Sequence, residues 1–85
     1  MQDDPPVPDG VAVVVDARGS HCPGALMELI VALKHARRGD FLLVLADDPG
    51  SAREIPEWLS KVGQRHVSTR SEQGILHIMV EKTRG

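Results

Sequence analysis

The chain has no tyrosine, one phenylalanine (Phe41), one tryptophan (Trp58) and one cysteine (Cys22) among its 85 residues. So few aromatics argue against a module that binds nucleic acid by stacking bases on exposed rings. A single cysteine cannot build an internal disulfide framework or a Cys-rich zinc site. Charge of one sign is also scarce: ten Lys and Arg against twelve Asp and Glu give a net charge of −2. Asp3, Asp4 and Asp9 put −3 into residues 1–10, which leaves +1 for the rest of the chain. Neither figure supports binding driven by bulk phosphate attraction, so no direct contact with nucleic acid is expected. No apolar run approaches the roughly 20 residues that cross a bilayer, which argues against membrane insertion. The N-terminus lacks the basic region and long apolar core of a secretory signal. The expected location is the cytoplasm, where a lone thiol stays reduced.

What is present is the composition of one small globular domain, 41% hydrophobic and 26% charged. Residues 1–10, with three prolines and three aspartates, read as a flexible lead-in, and residues 11–85 as the domain. Val11-Ala12-Val13-Val14-Val15 is a short β-branched run, too apolar for a half-exposed strand, and predicts a strand buried on both sides or central in a sheet. A polar loop with Gly19 follows. A helix is expected from Cys22, with Pro23 at its first position and Leu26, Leu29, Ile30 and Leu33 on one stripe. Lys34, Arg37 and Arg38 would fill its last turn and Gly39 would stop it. Met27 and Val31 lie off the stripe, as a contact surface near Cys22 would.

Phe41–Ala46 predicts a second strand, hence a right-handed βαβ unit. Asp47-Asp48-Pro49-Gly50 has turn chemistry. Ser51 and Glu54 have the spacing of a capping box. Ile55, Trp58, Leu59 and Val62 make a second helical stripe, ended by Gly63, in which Pro56 fits only if it falls in the first turn. His66–Glu72 and Ile75–Lys82, joined by Gln73-Gly74, predict a hairpin whose first strand is an exposed edge. The order β-α-β-α-β-β predicts an α/β two-layer sandwich, with both helices on one face of a four-stranded mixed sheet. Sites in such sheets lie beyond the carboxyl ends of the parallel strands, where the loop carrying Cys22 falls.

At a helix mouth, unpaired N–H groups and the positive end of the dipole favour thiolate over thiol. The effect is worth about 0.3–2 kcal/mol, bringing a thiol from near 8.5 toward ~7–8. Arg18 and His21 would add to it if they face the sulfur, and Asp16 would oppose. The competing reading is a small buried core thiol.

Asp16-x-x-Gly19-x-x-Cys22-Pro23 after a hydrophobic strand resembles the signature of the TusA (SirA-like) sulfur carrier proteins. The resemblance runs from about Val11 to Lys82 and takes in Gly39, the Asp47-Asp48-Pro49 turn, Ile55-Pro56-x-Trp58 and the terminal hairpin. It departs at Ala25, where the family pattern carries a second proline, at Ser20, where leucine is common, and at Glu54, where aspartate is. The resemblance implies a sulfurtransferase: Cys22 takes a sulfane sulfur from a cysteine desulfurase or rhodanese-type donor and passes it, as a persulfide, to an acceptor protein. Asp16, Gly19 and Pro23 would be scaffold for the loop and helix start. No cofactor or metal is implied, and a monomer or weak dimer fits equally.

Other groupings carry less. A metal site on His21, Cys22 and a remote residue would need ligands from elements that His35, His66 and His77 place apart. Asp47-Asp48 reads as a turn, and Lys34-His35-Ala36-Arg37-Arg38 as a solvated helix end or a dock for an acidic partner. The competing function is a non-catalytic regulatory or RNA-binding module on the same β-α-β-α-β-β fold.

Overall fold

In the computed structural model, residues 10–20 and 24–84 are described. The elements are β1 (Val11–Asp16), α1 (Gly24–His35), β2 (Phe41–Ala46), α2 (Ser51–Val62), β3 (Arg65–Glu72) and β4 (Ile75–Glu81). The sheet order is β1-β2-β4-β3, parallel between β1 and β2 and antiparallel elsewhere. Both helices pack on one face of it, the expected two-layer sandwich. Leu29 and Leu33 of α1 and Ile55 and Leu59 of α2 meet Leu42, Val44, Ile78 and Val80 of the sheet in one buried cluster. Each such side chain contributes about 1.5–3 kcal/mol on burial. On the other face, Leu43 and Leu45 are also buried, beside Met79 and His77 of β4.

The turn of the β3–β4 hairpin forms as its sequence predicts. Gln73 and Gly74 both take positive φ (54° and 79°), as the tight turn that matches strand twist requires. Every residue of β3 is exposed, as an edge strand with alternating polar residues should be.

Four local expectations are corrected. The valine run is not central: β1 is an edge strand, with Val13 and Val15 turned to the core and Val14 41% exposed. The alternating β4 takes the central place instead, between β2 and β3. Helix α1 ends at His35, short of Arg37 and Arg38, because the ammonium of Lys82 takes the carbonyls of Leu33 and Ala36 (2.5 and 2.7 Å). Ser51 is the first residue of α2 and is buried, so the cap is Gly50, whose carbonyl accepts from the N–H groups of Arg53 and Glu54 (3.2 and 3.0 Å). Pro56 sits in the second turn of α2, where its missing N–H leaves the Ala52 carbonyl without the usual helical donor. The helix nevertheless runs through to Val62 and stops at Gly63, whose φ of 80° is left-handed.

Candidate functional site

Parallel pairing of β1 with β2 brings the loops that follow them side by side at one end of the sheet. The β1–α1 loop carries the sequence motif, and its two anchored ends are described; His21, Cys22 and Pro23 lie outside the described residues. The expected helix start at Cys22 and Pro23 falls in that gap, and α1 is seen from Gly24.

The loop leaves the sheet by prolonging the ladder. Buried Ala17 donates its N–H to the Leu45 carbonyl (2.8 Å), and Ser20 closes a turn back to the Ala17 carbonyl (3.1 Å). Gly19 has φ +86°, which strains any side-chain-bearing residue. Its N–H meets both carboxylate oxygens of Asp47, at 3.0 and 2.9 Å. A residue of the β2–α2 turn therefore holds the loop that contains Cys22. On the other side, the Ser20 hydroxyl donates to Glu28 of α1 (3.2 Å). Gly24 packs so closely on Ser20 that an added Cβ would stand 2.8 Å from the serine Cβ.

Arg18 folds back on Asp16, its Nε reaching Oδ1 at 2.8 Å and its Nη2 reaching Oδ2 at 2.6 Å. These hydrogen bonds hold the Asp16 carboxyl below the usual carboxylate range, against a smaller opposing effect of burial. Arg18 and Asp16 thus form an ion pair where β1 gives way to the loop. Helix α1 has no acidic residue in its first described turn.

The remaining histidines stay apart, His35 on α1, His66 on β3 and His77 on β4. His66 bonds the Thr69 hydroxyl (2.6 Å), and His77 is buried with Nδ1 near the Ile75 carbonyl (3.2 Å). Trp58 is partly buried against the core. Asp47, Glu28 and Gly24 were not singled out as site residues by sequence reasoning. The available signal for Asp47 was positional: an aspartate straight after the second parallel strand must stand beside the loop after the first.

A βαβ unit with a clamped glycine loop at the carboxyl end of β1, opening into a helix free of acid in its first turn, defines a small α/β protein built to present that loop. Comparison with known proteins gives the family. The model of the sulfurtransferase TusA family matches residues 13–82, and the chain belongs to that family. A putative sulfur carrier protein of Archaeoglobus fulgidus is 49% identical over 70 residues, covering 82% of this chain and 96% of the relative. The sulfur carrier protein TusA of Buchnera aphidicola is 30% identical over 70 residues, covering 82% of this chain and 89% of its own. A SirA-like protein of Desulfitobacterium hafniense superimposes with a TM-score of 0.74 over 85% of this chain and 99% of its own, and at 19% identity this is a likeness of fold. No helix among the described residues is long and apolar enough to cross a membrane.

Proposed function

We propose that the chain is a persulfide carrier acting through Cys22. The observation that carries this reading is the match of family and motif on one loop: Cys22 falls between a β1 exit clamped by Asp47 and the start of α1. Asp16, Gly19 and Pro23 serve as scaffold for that loop, with Arg18 and His21 as tuning groups.

In the first step the Cys22 thiolate attacks the outer sulfur of a persulfide on a donor protein. A new sulfur–sulfur bond forms at Cys22, the donor's breaks, and the donor leaves as a thiolate. In the second step an acceptor thiolate attacks the outer sulfur on Cys22, which leaves as thiolate in turn. Each step exchanges one sulfur–sulfur bond for another, so no external oxidant enters. The start of α1 favours the anionic sulfur on both sides of the exchange. A cysteine desulfurase or rhodanese-type protein fits the donor role. With no second cysteine among these 85 residues, the persulfide is not closed into a disulfide within them, and the sulfur leaves to an outside thiol. Residues 11–85 would form the carrier domain, in the cytoplasm.

The test is intact mass after incubation with a cysteine desulfurase and cysteine. The reduced protein should gain the mass of one sulfur, lose it to dithiothreitol, and gain nothing as Cys22→Ser. A sulfur taken up by Cys22→Ser, or none taken up by the parent from the desulfurase or from a rhodanese-type protein with thiosulfate run in parallel, refutes the reading.

A further inference from the structure

The two edges of the sheet are built differently. The β3 edge is guarded in the way that blocks strand addition: it carries Arg65, His66, Arg70 and Glu72, with ion pairs from Arg65 to Glu81 (2.8 Å) and Arg70 to Glu72 (3.1 Å). The β1 edge has no charge and no proline from Val11 to Val15. Because the Ala17 N–H points at β2, strand alternation turns the main-chain groups of Val14 and Asp16 outward. No described residue pairs with them. Apolar side chains flank this open ladder on both sides: Val14 on the helix-free face, and Met27 and Val31 of α1, 58% and 55% exposed, on the other. Between β1 and α1 runs an open, mostly apolar cleft of about 460 Å³.

We propose that this edge pairs with the same edge of a second copy, forming a two-fold dimer with one continuous eight-stranded sheet. Antiparallel pairing centred on Val14 sets Val14 against its counterpart and Asp16 against Ala12, so no like charges oppose each other. A two-fold axis normal to the sheet keeps both α1 helices on one face, antiparallel and adjacent. Met27 and Val31 of each then meet those of the other. The charges complement in that arrangement: the first half of the exposed stripe carries Glu28, and its last turn carries Lys34 and His35. Residues 1–9 are a poor competitor for the edge, since Pro5, Pro6 and Pro8 have no N–H to give a ladder.

The test is sedimentation equilibrium of the full chain in reductant, which excludes a Cys22 disulfide. A short edge with three apolar side chains per copy is a small interface, with a Kd on the order of 100 µM. The average mass should therefore climb from 9.2 kDa toward twice that value with concentration. Val14→Lys and, separately, Met27→Glu should each weaken association about tenfold or more while leaving the far-UV spectrum unchanged. Val67→Lys, at a 38% exposed valine on the guarded edge, should leave association as it is. A chain that stays monomeric into the millimolar range overturns the proposal. So does association that survives both variants, or that appears only when residues 1–9 are removed, which would make that segment the occupant.

Discussion

Replacing Asp47 by alanine should loosen the β1–α1 loop without touching the core. The carboxylate accepts the Gly19 N–H with both oxygens, across 28 positions of sequence, and so ties the β1–α1 loop to the β2–α2 turn. A hydrogen bond to a charged group contributes about 1.5–3 kcal/mol. This one is exposed, so water recovers part of it, and the expected loss is about 1–2 kcal/mol. For a domain of this size that corresponds to a fall in Tm of about 4–16 °C. Asp47→Asn keeps one carbonyl acceptor at the same place and should lose about half as much. Thermal unfolding followed by circular dichroism gives the stability, and alkylation of Cys22 against pH reports the loop. In Asp47→Ala the alkylation profile should shift toward that of a free thiol. A Tm within 1–2 °C of the parent, together with an unchanged alkylation profile, would refute the clamp.

Lys82→Met keeps the stem but removes the ammonium from the carbonyls of Leu33 and Ala36, and urea unfolding should show a loss of about 1–3 kcal/mol; a neutral result means water satisfies them. The Asp16 carboxyl is held low by Arg18, so its contribution is present above the unfolded carboxylate pKa near 3.9 and is lost as pH falls through the folded value. Arg18→Ala should move the Asp16 titration upward in carboxyl NMR, and an unmoved titration removes the pair as the cause; the stability change should stay below about 1 kcal/mol because the pair is exposed. Gly24→Ala, ordinarily a gain of about 0.5–1 kcal/mol in a helix, should instead destabilise because its Cβ meets Ser20, and Ser20→Gly in the same chain should restore the gain.

Element order, layer arrangement and the hairpin turn were legible because each rests on a local pattern: the helical stripes of Leu29, Leu33, Ile55 and Leu59, and Gln73-Gly74 between alternating runs. The position of β1 was not. Five consecutive apolar residues record strand propensity and the absence of charge, but a strand's place in the sheet depends on which partners reach it. The hairpin delivers β4 to the open side of β2, and the valine run is left at the rim with Val14 facing out. Ser51 failed as a cap for a similar reason. The chain turns at Asp48, which accepts the Gly50 N–H (3.3 Å), one step earlier than the capping-box spacing implies. At the candidate site, the motif spacing pointed to the loop, whereas the Asp47 bond joins residues that only the βαβ crossover brings together.

The sheet order has a consequence for synthesis. β4, the last of the four strands in sequence, occupies the interior of the sheet, and Ile78 and Val80 on it are fully buried against the helices. Lys82, just beyond it, closes the C-terminal end of α1 from 49 positions away. A nascent chain that has reached only α2 holds a two-stranded sheet with one side open and a first helix with loose carbonyls. Completion of the sheet therefore waits for β4 to leave the ribosome, although Asp47 and the loop it clamps are made earlier. A chain halted before β4 has the thiol and the Asp47 clamp, but an open sheet and an unclosed α1 beneath them.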